Sequence, residues 1–378
     1  MNKRLLDPAL LPILEKVEAG ERLTGEEGIS LYASRDLNGL GYLANIIRER
    51  KNGNVATYVF NRYVNYSNVC ILSCQFCAFS AKKRDDHAFE MAISEVAAKT
   101  KEAWENGATE IHMVGGLHPT LPASWYLELL GAMREAAPGI HLKAFTAIEI
   151  RHLSDRIFKK PVQETLEILR DAGLNALTGG GAEIFDQQVR DTICRGKETG
   201  EEWLEVHRTW HKMGQRSTAT MLYGHVETPE HRIDHLLKLR ALQDETQGFT
   251  AFIPFAFVPE TTELAHIRPA CSTDELKNLA ISRLMLDNFD HITGYWISLG
   301  LPLASIALNY GVDDLHGTIQ EEKIFHMAGA KTPQQQTIVA MEKAIREAGR
   351  EPMQRDTFYR RIESTVPKKA TASEAVPA

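Results

Sequence analysis

Strand-sized apolar segments alternate with helical ones along most of this chain, and that alternation is the tightest constraint on its fold. Parallel strands need crossovers long enough to hold a helix, so alternation implies a parallel sheet covered by helices. Candidate strands lie at 61–67, 110–114, 141–147, 176–179, 217–222, 250–257, 294–298 and 304–309. Between them, SEVAAKTKEAWENG, SWYLELLGAMREAAPG, PVQETLEILRDAG and EEWLEVHRTWHKMG carry apolar residues at helical spacing, with glycine near several ends as a stop. Eight such strands predict an α/β fold, a (β/α)8 barrel of the TIM type. The chain has 378 residues, and such a barrel uses about 250 of them. Additions at both ends follow: a helical extension over 1–60, the barrel over 61–330, a second helical extension over 331–364 and a tail over 365–378. LLPILEKVEAG, a cap at Thr24 to Glu27, and LNGLGYLANIIRERKNG supply the first extension, while TPQQQTIVAMEKAIREAG supplies a helix in the second. The tail is poor in large apolar residues and predicts disorder.

The formal charge of -7 comes from intermixed acids and bases, with no basic stripe for nucleic acid. A small-molecule partner is expected instead. The uncharged run 292–311 is as long as a membrane span, but Gly294, Gly300, Pro302 and Asn309 divide it into two strand-sized pieces. The opening residues lack a secretory apolar core, since Asp7, Pro8, Glu15 and Lys16 interrupt them. No membrane association and a cytoplasmic location are the expectations. Cys194 and Cys271, far along the chain from the other three cysteines, read as free thiols, small and buried.

Those other three stand within eight residues, at Cys70, Cys74 and Cys77. Thiolates are soft ligands, and three in one loop converge on zinc or on an iron-sulfur cluster. A structural zinc site is closed by four ligands, and no second pair follows at a zinc spacing; His87 comes after the charge run 82–86. A 4Fe-4S cluster held by three cysteines would keep one iron open for a ligand.

The pattern C-x-x-x-C-x-aromatic-C, with Phe76 as its aromatic residue, resembles the signature of the radical S-adenosylmethionine (SAM) enzymes. The resemblance implies that the open iron binds the amino and carboxylate groups of SAM. It also implies that one electron cleaves the sulfonium to a 5'-deoxyadenosyl radical.

Reactive groups of a barrel enzyme belong at the C-terminal ends of its strands. After the second candidate strand comes VGGLHP (114–119), where Gly115 and Gly116 resemble the family's glycine motif for the SAM amino group. The family's usual acidic third residue is Leu117 here. Glu149, after KAFTAI, and Glu183, after GGGA, each put a carboxylate near the expected mouth, where it can accept from ribose hydroxyls; each also suits a first helical turn. Arg195 and Lys197 could hold a carboxylate. His225 could act as acid or base, or serve as a hydrogen-bonded core group. Arg62, Asn65 and Asn68 flank the approach to the cysteines. Phe79, Phe145, Phe255 and Phe257 could wall a dry cavity, or equally fill the core.

VGGLHP, HLKAFTAIEI, GGGAEIF and ATMLYGHVET together are similar to the aminofutalosine synthase family, radical SAM enzymes of the futalosine route to menaquinone. Cyclic dehypoxanthinylfutalosine synthases and deazaflavin-forming synthases share the broad pattern; KAFTAIEI favours the first family. That resemblance implies addition of the adenosyl radical to the enol ether of 3-[(1-carboxyvinyl)oxy]benzoate, rearrangement onto the ring and loss of one carboxyl. The products would be 6-amino-6-deoxyfutalosine and methionine. It also implies an electron donor such as flavodoxin or ferredoxin. The substrate carries two carboxylates, and Arg62, His118, Arg195 and His225 are the expected candidates for the substrate end of the site. A non-catalytic iron-sulfur electron carrier is the alternative of a different class, and it would need neither the glycine motif nor polar strand ends.

Overall fold

The computed structural model describes residues 6–363, so the expected tail over 365–378 lies outside the described residues. Helices α1 (Leu11–Ala19), α2 (Gly25–Ala33) and α3 (Leu37–Asn52) form the N-terminal preface. Thr24 and Glu27 make a reciprocal capping box at the start of α2, as the sequence pattern predicts. Arg48 of α3 is fully buried and donates to the carbonyls of Gly53 (2.6 Å) and Val55 (2.6 Å), which fastens the helix to the strand that follows.

That strand, β1 (Val55–Val59), continues past Phe60 into β2 (Asn61–Val64). The chain then alternates through α4 (Ile93–Glu105), β3 (Glu110–Met113), α5 (Ala123–Ala136), β4 (His141–Ala144), α6 (Ala147–His152), α7 (Val162–Asp171) and β5 (Ala176–Leu177). It goes on through α8 (Gln187–Ile193), α9 (Gly200–Lys212), β6 (Arg216–Tyr223), α10 (Pro229–Thr246), β7 (Phe249–Ala256), α11 (Ser272–Met285) and β8 (His291–Ile292). Strands β2 to β8 form one parallel sheet in sequence order. Each pairs with its neighbour in sequence, the topology that right-handed crossovers produce.

The expected strands at 294–298 and 304–309 are instead the short helices α12 (Trp296–Leu299) and α13 (Leu301–Ala307). Gly300, at φ 75°, separates them, and Pro302 sits in the first turn of α13, where its missing N–H costs nothing. Trp296, Ile297, Ala304 and Ala307 are buried, and a short apolar run reads alike whether it is a buried strand or a buried helix. The closing strand is β9 (Asp314–Gly317), whose polar sequence DLHG hides it. Asp313 N–H donates to Ile292 O (3.1 Å) and Gly294 N–H to Asp314 O (2.8 Å) on one side, and Thr318 N–H to Val59 O (3.1 Å) on the other. The barrel is thereby closed between β8 and the β1–β2 strand. Helices α14 (Ile324–Met327) and α15 (Ile338–Glu347) follow, and β10 (Glu351–Arg355) pairs in parallel with the outer side of β1. Among the described residues no helix is long and apolar enough to cross a membrane.

Candidate active site

The loop after β2 carries Cys70, Cys74 and Cys77, and it is tied down at many points. Cys70 N–H donates to Ala81 O (2.9 Å), Ile71 N–H to Leu117 O (3.1 Å), Gln75 N–H to Ile193 O (2.8 Å) and Cys77 N–H to Cys74 O (3.0 Å). Lys82 turns its ammonium onto the carbonyls of Cys70 (3.1 Å), Ile71 (3.3 Å) and Leu72 (2.8 Å). Lys82, the first residue of the charge run 82–86, therefore clamps the loop. All three thiols line one cavity of about 250 Å³ at the C-terminal ends of the strands. Burial raises the pKa of Cys74 and Cys77, so without a metal both stay protonated; a bound metal displaces such protons. Among the described residues no three cysteine, histidine or carboxylate side chains converge on a point that could hold one metal ion. Three thiols lining one hollow suit the three-cysteine ligation of a 4Fe-4S cluster. Cys194 is buried and close enough to Cys74 to raise its pKa further, so in space it is near the loop rather than far from it; Cys271 is exposed rather than buried.

The glycine turn after β3 packs directly on that loop. A Cβ on Gly115 would meet the Tyr66 ring at 2.5 Å, and one on Gly116 would meet Val69 O at 2.4 Å, so only glycine fits at either position. Both line the cavity. Glu149 stands behind them. One of its oxygens accepts from Gly115 N–H (3.0 Å) and Tyr66 O–H (2.9 Å), and the other from the N–H (2.8 Å) and hydroxyl (2.9 Å) of Thr146. Glu149 is buried and outside the cavity lining, so it holds the glycine turn in place. Burial raises its pKa to about 7 against the pull of those four donors.

Glu183 does line the cavity, with a backbone held at φ 46° and its carboxylate 2.6 Å from Lys197 Nζ. That ammonium also lies 5.5 Å from the centroid of the Phe76 ring. Burial works against the charge on Lys197, but Glu183 and Glu198 outweigh it and raise its pKa. Arg195, two residues earlier, is exposed and outside the cavity.

The other expected residues face elsewhere. Arg62 points out of the barrel to Glu102 (2.6 Å) and Glu321 (3.5 Å). Buried His118 organises the loop after the glycines: its Nδ1 accepts from Leu121 N–H (3.1 Å) and its Nε2 faces Glu90 (2.9 Å). His225 places Nε2 against Leu222 O (3.0 Å) and Nδ1 beside Glu227 (3.0 Å), and Glu227 in turn accepts from Gly224 N–H and Arg232. Burial lowers the pKa of both histidines. Neither lines the cavity. Of the four phenylalanines expected as walls, Phe79, Phe255 and Phe257 line it and Phe145 does not.

Deeper in the barrel the lining includes a group the sequence analysis missed: Tyr63, His112, Tyr295 and His316. Tyr63 and His112 stack at 4.3 Å, and His316 Nε2 lies 3.3 Å from the Tyr63 hydroxyl. Period-two alternation along β2 and β3 could have put Tyr63 and His112 inside. His316 was out of reach, because its strand was not recognised.

The sequence profile described as the Radical SAM superfamily matches residues 64–239, and one described as the CofH/MqnC C-terminal region matches 246–368. Aminodeoxyfutalosine synthase of Thermus thermophilus is 47% identical over 94% of this chain and 96% of its own length. The 5-amino-6-(D-ribitylamino)uracil–L-tyrosine 4-hydroxyphenyl transferase of Methanoculleus marisnigri is 41% identical over 94% of this chain and 98% of its own. The crystal structure of methylornithine synthase superposes with a TM-score of 0.71 at 19% identity, over 90% of this chain and 96% of the other, a likeness of fold. Membership implies a 4Fe-4S cluster and SAM, which suit the thiol-lined cavity: the chain is a radical SAM enzyme, of the family to which the aminodeoxyfutalosine synthases belong.

Proposed function

We propose that this enzyme is an aminofutalosine synthase, joining the adenosyl group of SAM to 3-[(1-carboxyvinyl)oxy]benzoate to give 6-amino-6-deoxyfutalosine and methionine, with loss of one carboxyl. The observation that carries this reading is a single cavity with three thiols and a glycine turn at one end and aromatic side chains at the other. The 47% identity to the Thermus enzyme supports the choice of substrate. In this reading Cys70, Cys74 and Cys77 hold the cluster and leave one iron for SAM. When bound, the cluster would supply the electron for opening the sulfonium bond.

The chain's own groups do the rest. Gly115 and Gly116 give the SAM amino group access to backbone carbonyls, and Glu149 keeps them there. Glu183, paired with Lys197, accepts from the ribose hydroxyls beside Phe76. Phe79, Phe255 and Phe257 exclude water from the reacting carbon. A flavodoxin- or ferredoxin-type donor in the cytoplasm would supply the electron.

The test is anaerobic. Reconstituted, reduced enzyme is given SAM and 3-[(1-carboxyvinyl)oxy]benzoate, and products are followed by mass spectrometry. An adenosyl–substrate adduct short of one carboxyl, absent with Cys74→Ala, is the expected result. Only 5'-deoxyadenosine and methionine would redirect the assignment to another substrate, with L-tyrosine and 5-amino-6-(D-ribitylamino)uracil the next pair to try. A reducible cluster that never cleaves SAM would leave an electron carrier.

A further inference from the structure

We propose that the deep end of the cavity is a carboxylate subsite for an aromatic ring, in which His112 and His316 grip the ring carboxylate of the substrate. The proposal rests on the substrate reading above and adds the residues that recognise it.

It begins from a mismatch of charge. The substrate is a dianion, yet among the described residues that line the cavity Lys197 is the sole lysine or arginine, and Glu183 already engages it at 2.6 Å. Arg62, Arg195, His118 and His225 lie outside. The remaining basic groups are His112 and His316, whose rings are 6.2 Å apart and flank Tyr63 at 4.3 and 5.8 Å. Nδ1 of each is buried and has no partner. Buried polar atoms are normally satisfied, so an unsatisfied pair beside a cavity leaves two ring nitrogens open to a polar group of a ligand.

The surroundings prepare one of them. His316 sits at φ 64°, a conformation disfavoured for a residue with a Cβ, and its N–H donates to Asp314 Oδ1 (2.8 Å). Asp314 is fixed in turn by Arg355 (2.6 and 3.0 Å) and Thr293 (3.0 Å). Such strain persists where neighbours over-determine it, and here it presents the imidazole to the cavity. The Tyr63 hydroxyl engages Nε2 at 3.3 Å, which leaves Nδ1 as the ring nitrogen open to a ligand. Burial lowers the pKa of both histidines, and the Lys143 ammonium lowers it further against the opposing pull of Glu110, with Arg355 adding to the lowering at His316, so each enters as a neutral ring. Tyr295, Phe255 and Phe325, with ring centroids 5.0 to 5.6 Å apart, form the apolar slot for the ring itself. Glu322, the other carboxylate in the lining, is occupied by the N–H groups of Ile324 and Phe325 and by His326.

The probe is 3-methoxybenzoate against its methyl ester, titrated calorimetrically into reconstituted, unreduced enzyme with SAM. A hydrogen-bonded carboxylate should bind about 10- to 100-fold more tightly than the ester. That preference should fall at least about tenfold in His316→Phe and in His112→Phe, and by less in Tyr63→Phe, with iron content and SAM affinity unchanged. Because His316→Phe could disturb the seam, ring 15N shifts of wild-type histidines provide a second readout; two should move with the acid and none with the ester. Equal affinity for acid and ester, or a preference that survives both histidine substitutions, would overturn the subsite. Turnover is scored separately: wild type that prefers the acid but fails to convert 3-[(1-carboxyvinyl)oxy]benzoate sinks the substrate reading and leaves the subsite standing.

Discussion

The arc from β2 to β7 and the seam at β8 and β9 are two ways of making the same barrel. In the arc, apolar side chains and backbone ladders do the work: β6 and β7 pair from Ser217↔Phe249 to Tyr223↔Ala256, with Met221 and Phe252 fully buried. In the seam β8 is two residues long, and adjacent buried acids take over. Asp313 accepts from Arg283 (2.5 Å) and Ile292 N–H (2.8 Å) and meets His291 (2.6 Å), while Asp314 accepts from Arg355, Thr293 and Thr57 (2.6 Å). Chemistry that needs a fixed loop sits on the arc, and closure that needs adjacency without long strands is made by charge. His316 is where the seam reaches into the cavity.

Two substitutions should break the comparison most sharply, in opposite senses. Asp313→Ala leaves the Arg283 guanidinium buried without its partner, at a cost of about 3–5 kcal/mol in urea denaturation. Folded protein should still release methionine from SAM. Cys74→Ala should abolish methionine release and leave apo-protein stability within about 1 kcal/mol. A seam variant that unfolds no sooner than wild type would show that its charges are ornamental.

Gly116→Ala tests the arc by geometry. Its methyl would meet Val69 O at 2.4 Å, so the cysteine loop must shift, with an expected cost of about 1–3 kcal/mol and at least a tenfold loss of SAM affinity by equilibrium dialysis. Unchanged SAM affinity would detach the glycine turn from the cofactor.

Glu149→Gln sharpens the electrostatic side. With a native pKa raised by burial to about 7 from 4.5, the folded form holds a proton that the unfolded chain has lost across that window. Stability should therefore fall as pH rises from about 4.5 to 7, and the variant should lack that contribution, on the order of 1–3 kcal/mol. Parallel urea melts at pH 5 and pH 7 read the difference. The smallest effect belongs to Arg62→Ala. Its partners Glu102 and Glu321 are 63% and 43% exposed, so the ion pairs contribute about 1 kcal/mol or less; with the loss of the buried stem, stability should move by about 1–2 kcal/mol and kcat/KM by less than about twofold.

The arc was legible in the sequence because its strands obey the rules by which sequences are read. Alternation, glycine stops and the Thr24 cap all lie where the pattern puts them. The seam was not. DLHG carries a single apolar side chain, Leu315, beside an Asp314 whose partners Arg355 and Thr57 lie at distant positions, and the apolar run before it folds as two buried helices. The site divides in the same way. Local spacing brought the cysteines and glycines into one cavity, and Glu183 with them. Residue type alone misplaced Arg62, His118 and His225, because a charged or titratable side chain near a strand end can face a helix or its own loop as readily as the cavity.

The most direct test of the central claim, that the cysteine loop and glycine turn hold a cluster with an iron open to SAM, is the low-temperature electron paramagnetic resonance spectrum of the reduced enzyme with and without SAM. A reduced 4Fe-4S signal whose g values shift on adding SAM, with no such shift in Gly116→Ala, is the predicted result. A signal indifferent to SAM would contradict the account.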